Sequence, residues 1–560
     1  MSGSMPTSVE ARRVVPLPQL ARAADARPGD APTIGRRLAS HGFLLGLLGV
    51  VLLAAALRVP GLADFPPGLL QDEAQIGYDA YSVLRTGRDH HGDPLPINFR
   101  SFNDYLPGLY FYLAMPTIAL FGLEPVAVRL PAAILGLIAV VATGFAARRL
   151  AGTGPGLAAA LFLAVSPYAI AYSRIGWPAA LVPGLVIVGV AAHLGASAAR
   201  AESRRRADSL AVLAGLAFGL AVWSYPVAKL FVPSLVAALA LLWWRRSGRQ
   251  VSVLLATFAL VVLPFAVANI LQWEEIQNRF SRISVVRTPD PIRAAVANYL
   301  VHFAPERLVW GGYVSAAQVL PPGTAQLLPI VAALAAMGVF VSLRRARQPE
   351  YALLLAWLVL FPAADALTRE NVPNNTRSIT MLPLPELLAA VGLGWLMSWL
   401  AIRCRTLAGT TAALAVVVAV ASSEPFLHAY FVEPVQRIKD DFFHYRFGEA
   451  IRAASAINHD GRYGEVWVEP THETYMFVLF YTARDPAAFH RQPADMRVGR
   501  DLWVHVSQMP GYRFGTAEPE DREVLYVCHT CPRNAPYRVL HREHYADGAI
   551  AWQVIALAPR

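Results

Sequence analysis

Long apolar runs separated by short polar turns dominate this chain as far as about residue 421. They lie at roughly 42–57, 128–147, 154–172, 178–197, 209–223, 227–244, 251–271, 325–343, 351–366, 378–400 and 406–421, each near the ~20 residues a helix needs to cross a bilayer. The spacing predicts about eleven transmembrane helices, a mostly α, polytopic membrane protein. Beyond about residue 423 the pattern changes. Apolar residues alternate in short runs such as Glu465-Val466-Trp467-Val468 and Val524-Leu525-Tyr526-Val527, bounded by Gly, Pro and Asp, which is strand patterning. Residues 423–560 are therefore expected to form a small soluble α/β domain. Residues 1–40, rich in Pro, Ala and Arg without periodicity and without a cleavable signal pattern, are expected to be a disordered tail.

Composition agrees with a membrane protein: of 560 residues, 55% are hydrophobic and only 16% charged, too few charges to cover a soluble surface of this size. The net charge of +10 does not imply nucleic acid, because the arginines sit in short clusters between apolar runs and form no single basic stripe. Arg36-Arg37, Arg148-Arg149, Arg204-Arg205-Arg206, Arg245-Arg246, Arg344-Arg345 and Arg403 to Arg405 fall in alternate loops, so one orientation satisfies every cluster. It places the N-terminus in the cytoplasm, the C-terminal domain outside, and the chain in the cell membrane. Residues 41–422 then form the membrane domain, with outer loops at 58–127 and 272–324. Counting the aromatic segment 105–122 as a span would reverse every later cluster, so it is expected to lie in or re-enter the outer interface through Tyr105, Tyr110, Phe111 and Tyr112.

Three cysteines are too few for a disulfide framework. Cys404 reads as an isolated thiol. Cys528-His-Thr-Cys531 lacks the second ligand pair of a zinc site, and a local disulfide is the expectation on an outer face.

Sorted by side, Arg58, Asp72, Glu73, Asp104, Arg129, Arg174, Lys229 and Arg377 all come out at outer helix ends or in the first outer loop. Each arginine singly fits an interfacial anchor. Together, carboxylates and cations on one face suit a lipid phosphate and a general base beside it. The segment from Asp72 to Tyr81 has the pattern of a helix with Asp72, Gln75 and Asp79 along one side. Glu386 falls inside the span 378–400, where an ionised carboxylate costs roughly 2.5–3.5 kcal/mol; it is expected to be protonated or paired with Ser or Thr. His90-His91 with Asp93 is the nearest approach to a metal set in the first loop, but adjacent residues on regular structure point apart. Asn374-Asn375-Thr376 matches a glycosylation acceptor pattern in a loop too close to the membrane to be used.

Asp72-Glu73-Ala74, the segment Asn103-Asp104-Tyr105-Leu106-Pro107-Gly108-Leu109-Tyr110, Val128-Arg129-Leu130-Pro131, Ser166-Pro167 with Ser173-Arg174, and Asn374-Asn375-Thr376-Arg377 leading to Leu382-Pro383 occur in one order. As a set they resemble the membrane glycosyltransferases of the protein O-mannosyltransferase and aminoarabinose transferase superfamily, over roughly residues 42–400. The resemblance implies a GT-C-like fold and an inverting transfer from a polyprenyl-phosphate-linked sugar to a glycan, lipid or protein acceptor. It makes Asp72 the general base, Glu73 its motif partner and Asp104 an acceptor-orienting group, although relatives often carry a basic residue near that Pro-aromatic stretch. Arg174, Lys229 and Arg377 become the cations for the donor phosphate, with Lys229 outside the matching segments. Phosphate is already a good leaving group, so the scheme requires no metal or other cofactor. Two other readings compete with it. A transporter or flippase of lipid-linked saccharides needs a midplane path and usually repeat symmetry, which the chain does not display. A polysaccharide polymerase or ligase would draw on Arg279, Arg282, Arg287 and Arg293 of the late loop.

Overall fold

The computed structural model describes residues 33–102, 104–273, 276, 281–311, 319–432, 443–471, 473–499, 504–533 and 535–560. The expected disordered tail lies outside the described residues up to position 32, as do Asn103 and Arg279.

Inside hydrocarbon each backbone N–H and C=O must bond within its own segment, which leaves the helix as the form for an apolar run. Thr33–Arg58, Pro125–Ala151, Leu181–Ala199, Arg204–Val222, Ala228–Leu271, Pro329–Arg344, Pro349–Leu360, Leu384–Ala401 and Arg405–Phe431 are helical, as is the pair Thr153–Val165 and Pro167–Ser173, bent by 58°. Every predicted apolar stretch overlaps one of these helices. Among the described residues, seven helices are long and apolar enough to cross a membrane unaided, or up to eight with the bent pair. The difference from eleven stretches has physical sources. Ala228–Leu271 holds two stretches in one 44-residue run, hinged at Ser247 (φ −147°, ψ 47°). Pro329–Arg344 has only 16 residues, and Arg204–Val222 opens Arg-Arg-Arg-Ala-Asp. The last helix runs on to Phe431, past the predicted end near 421.

Because successive helices reverse direction, Arg148-Arg149, Arg204 to Arg206, Arg245-Arg246, Arg344-Arg345 and Arg403 gather at one end of the bundle. The opposite end, the loop face, carries the first loop and the C-terminal region. Small residues let helices close up within the bundle: a Cβ added at Gly338 would stand 1.9 Å from the Leu388 carbonyl oxygen, and one at Gly392 would stand 2.2 Å from that of Leu334.

The first loop folds as a helix, Gln71–Thr86, a two-stranded hairpin pairing Asn98–Ser101 with Asp104–Pro107, and a helix, Leu109–Phe121. Thirteen residues give about 20 Å of helix, short of the ~30 Å hydrocarbon thickness, in line with an interfacial element. Tyr105 belongs to the hairpin instead of the helix.

In the C-terminal region a six-stranded mixed sheet has the order Gln508–Met509, Tyr512–Phe514, Val466–Val468, Val524–Cys528, Ile550–Leu557, Tyr537–His544. Val466–Val468 runs parallel to both of its neighbours. Cys528 and Cys531 are joined in a disulfide, as expected, and Cys404 is free. The region shares one apolar core with the first loop, in which Tyr78 and Phe111 are packed with Phe477, Phe480 and Trp552.

Candidate active site

Helix Gln71–Thr86 is set by its own first turn. Glu73, at its third position, reaches back to accept the Leu70 backbone N–H at 3.0 Å, which satisfies a donor the helix start would otherwise leave bare. The same carboxylate is wholly buried and takes a two-point ion pair from Arg129, with Nε 2.7 Å from Oε1 and Nη2 3.0 Å from Oε2. Oε1 also accepts the Gly176 N–H at 2.6 Å. Arg129 in turn donates to the carbonyls of Leu62 (3.0 Å), Pro66 (2.8 Å) and Gly68 (2.6 Å). The Glu of the Asp-Glu motif is thus the knot that ties three chain segments together. Asp72, one residue earlier, is only half-buried, on a turn fixed by that knot.

Arg174, expected among the phosphate-binding cations, is turned into the loop that follows the first helix. Its Nε donates to Phe65 O at 3.0 Å, Nη1 to Leu57 O at 3.2 Å, and Nη2 to Pro60 O and Gly61 O at 2.9 and 2.8 Å. Phe431 lies 4.9 Å from the guanidinium. With the side chain buried and its donors engaged, the geometry makes Arg174 a clamp on residues 57–65. Arg58 is likewise buried and donates to the carbonyls of Ala164 (2.7 Å) and Leu163 (3.0 Å).

The hairpin brings a second group together. Asn98 donates to Gln272 Oε1 at 3.0 Å, and the Leu109 N–H meets Trp223 O at 3.4 Å, so the hairpin lies over the loop-face ends of the helices around 222–229 and 269–272. There Lys229 donates to Asn269 Oδ1 at 2.7 Å over the Phe265 ring, and Asp104 is the carboxylate whose field reaches its ammonium. Asp104 and Lys229, two sequence-predicted site residues far apart in the chain, thus lie within electrostatic reach of each other.

Arg377 is tied to Asp365, Nε to Oδ1 at 2.5 Å, and donates to the carbonyl of Glu370. Asp365 also faces His302 Nε2 at 3.0 Å and accepts the Asn374 N–H at 2.6 Å. Neither Asp365 nor His302 was expected from sequence, since neither lies in a recognisable motif. Beside them stands a buried cation that sequence reasoning also missed: Arg307, whose Nη2 donates to Ser378 Oγ at 2.7 Å and to Asn375 Oδ1 at 3.3 Å. Gln326 reaches the same Asn375 oxygen at 2.6 Å. Tyr168 donates to Asn375 O, and Tyr172 pairs with Thr376 at 2.8 Å. Tyr172 also lies within electrostatic reach of Tyr225 and Arg307, linking this cluster to the turn that precedes Lys229. Asn374, Asn375 and Thr376 are buried and bonded, which takes them out of use as a glycan acceptor.

The predicted stripe along helix Gln71–Thr86 is present: Gln75 Nε2 donates to Asp79 Oδ2 at 3.2 Å. Asp79 goes on to His90, which is 2.6 Å away at Nδ1 and also donates its backbone N–H at 2.9 Å. His90 Nε2 lies 3.3 Å from the Tyr475 hydroxyl in the C-terminal region. Burial pushes Asp79 above the usual carboxylate range and His90 below the usual imidazole range. Both ring nitrogens of His90 are engaged, and among the described residues no group of three or more His, Cys, Asp or Glu is arranged to hold a metal. Glu386 is buried, and its Oε2 has no hydrogen-bond partner, so no Ser or Thr pairs it there.

Residues 106–270 match the family model of dolichyl-phosphate-mannose-protein mannosyltransferases. No curated protein sequence matches the chain significantly. Among solved structures, the chain is similar to the oligosaccharyltransferase AglB of Archaeoglobus fulgidus, determined in complex with an inhibitory peptide and a dolichol-phosphate. The TM-score is 0.53 at 14% identity, over 80% of this chain and 64% of that one. It is also similar to apo ArnT of Cupriavidus metallidurans, with a TM-score of 0.53 at 13% identity over 93% of this chain and 98% of that one. The chain therefore spans just under two thirds of the archaeal protein's length and nearly the whole of ArnT. At such identities the likeness is one of fold: the chain shares the fold of ArnT and of the archaeal oligosaccharyltransferase.

Proposed function

We propose that this multi-pass membrane protein, with its GT-C fold and its mannosyltransferase-family match over residues 106–270, is an inverting glycosyltransferase. It moves a sugar from a polyprenyl-phosphate carrier to an acceptor hydroxyl or similar nucleophile at the outer face of the cell membrane. The loop face is the outer face, with the arginine clusters retained in the cytoplasm. The acceptor is a glycan, lipid or protein brought against the first loop.

The observation that carries this reading is the division of labour in the Asp-Glu motif. Glu73 is locked in a buried knot with Arg129, Leu70 and Gly176, while its neighbour Asp72 stands half-buried on the turn so fixed. A carboxylate held on a rigid turn is suited to take the acceptor's hydroxyl proton, a step worth ~10²–10⁴ in rate. The acceptor oxygen attacks the anomeric carbon, the bond from that carbon to the phosphate oxygen breaks with inversion, and the phosphate leaves with the electron pair. Charge growing on the phosphate calls for fixed cations. Lys229 and Arg307 fit that task best, because they donate to neutral amide and hydroxyl groups, whereas several backbone carbonyls of residues 57–65 hold Arg174 and the carboxylate of Asp365 already neutralises Arg377. Asp104, within reach of Lys229, orients that ammonium or the acceptor. No metal or cofactor enters this scheme.

Incubation of the protein in nanodiscs with a set of polyprenyl-phosphate sugars and membrane extract tests the reading. Release of polyprenyl phosphate together with a product of inverted anomeric configuration is expected. Movement of intact lipid-linked sugar across a vesicle membrane, with no release of the phosphate, would instead establish a transporter.

A further inference from the structure

At the end of the bundle opposite the candidate active site, an open groove of about 540 Å³ lies between two helices, lined by Arg204, Arg205, Asp208, Ser209, Val212 and Arg249. We propose that this groove seats the headgroup of an anionic phospholipid in the cytoplasm-side leaflet. The inference is independent of the reaction catalysed and rests on the proposed orientation of this multi-pass membrane protein, with its arginine clusters on the cytoplasmic side.

Three guanidiniums face one carboxylate in the lining, and the carboxylate is already in use. Asp208 holds Arg249 at two points, with Oδ2 2.7 Å from Nη2 and both carboxylate oxygens 3.2 Å from Nε. The pair fixes Arg249 across the groove from Arg204 and Arg205. Helix Arg204–Val222 starts with three arginines and no acidic residue in its first turn, so cations crowd the positive end of the helix dipole. Outside the groove, Arg149 on a neighbouring helix lies in the field of Arg206 and Arg148, partly offset by Glu202. An anion in the groove relieves this repulsion, and a phosphodiester matches the planar fork of a guanidinium.

The floor of the groove says why the anion should be a lipid. Arg205, Asp208, Ser209, Val212 and Leu216 recur at three- and four-residue spacing and so form one stripe down the helix. It is polar at the end of the bundle and apolar below: Val212, in the groove lining, is 38% exposed, and Leu216, one turn beyond the lining, is 39% exposed, an apolar surface suited to acyl chains. The headgroup meets the arginines, the glycerol region meets Ser209, and the chains run down past Val212 and Leu216. Other basic residues at this end differ. Arg344 stacks on Phe340, Arg403 on Trp399, and Arg345 donates to the Tyr351 hydroxyl at 3.0 Å, so the general retention of arginine in the cytoplasm does not by itself make a groove.

The test uses the full chain in nanodiscs of phosphatidylcholine doped with phosphatidylglycerol, with bound lipid counted by native mass spectrometry after extraction into detergent. The parent is expected to retain phosphatidylglycerol over phosphatidylcholine. The variant Arg204→Gln/Arg205→Gln/Arg249→Gln is expected to lose that preference at least about tenfold, while Arg344→Gln/Arg345→Gln keeps it. Equal loss in both variants, or no loss in either, would overturn the proposal. Inorganic phosphate is the second probe: if it stabilises the parent against heat as well as phosphatidylglycerol does, the groove binds free phosphate and the lipid assignment fails.

Discussion

Glu73 and Arg129 meet as a fully buried two-point ion pair, 2.7 Å and 3.0 Å apart at their two contacts. Removing one partner of such a pair leaves a charge in low dielectric, at a cost of about 3–5 kcal/mol. Glu73→Gln and Arg129→Met are each expected to lower the thermal midpoint in detergent sharply and to free the segment around Leu62 to Gly68 for proteolysis. Asp72→Asn, half-exposed on the same turn, is expected to leave the midpoint close to that of the parent.

The cations divide in the same way. Arg174→Gln leaves several backbone carbonyls without their donor and is expected to destabilise the fold. Lys229→Gln and Arg307→Gln are expected to weaken donor binding roughly ten- to a hundredfold, the worth of a charge-assisted hydrogen bond, with a smaller change in thermal midpoint. Titration of each variant with a polyprenyl phosphate, read beside its melting curve, separates the two groups. An Arg174 variant that melted normally but failed to bind the lipid would return Arg174 to the phosphate site.

Asp79 and His90 predict opposite pH dependences once separated. Folded Asp79, raised by burial, keeps a proton that the unfolded carboxylate releases above about pH 4, so its contribution to stability falls as pH rises. Folded His90, lowered by burial, stays neutral where the unfolded imidazole takes a proton below about pH 6.5, so its contribution rises with pH. In the parent the two oppose each other. Between about pH 4.5 and 6.5, melting of Asp79→Asn is expected to shift upward with pH relative to the parent, and that of His90→Gln downward. Slopes of the same sign would refute the buried pairing.

Gly77 sits where helix Gln71–Thr86 presses on the C-terminal region. A Cβ there would stand 2.4 Å from the Phe480 ring and 2.8 Å from Val128. Gly77→Val is expected to cost about 1–3 kcal/mol by overpacking and to loosen the C-terminal region, seen as faster cleavage between the bundle and the sheet under limited proteolysis.

Much of this molecule was legible in the sequence because the bilayer restricts a long apolar run to a helix, and each such run is one. The hinge at Ser247 and the extension to Phe431 were not, since a hydrogen-bonded run can continue through polar residues that no span needs. Within the site, Asp72, Glu73 and Asp104 were singled out by their neighbours in the chain. What separates Asp72 from Glu73 is burial, and burial arises from Arg129 and Gly176, distant in sequence. Arg174 and Arg377 were singled out as phosphate ligands, and the carbonyls of residues 57–65 and the carboxylate of Asp365 that hold them are distant in sequence. Arg307 was passed over because it stands in the short helix Pro305–Leu308 with no motif around it, and only folding brings Asn375 and Ser378 to its side. The sheet was visible as alternation in Val466–Val468 and Val524–Cys528, but its shared core with the first loop has no local signature.

The central claim is that Asp72 is the base of a sugar transfer. The direct measurement is transfer from polyprenyl-phosphate sugars to acceptors in membrane extract by the purified protein in nanodiscs, for the parent and Asp72→Asn, with donor binding followed in parallel. A fall of at least ~10²-fold in transfer is expected, with donor binding and melting temperature unchanged. Transfer by Asp72→Asn at the parent rate would contradict it.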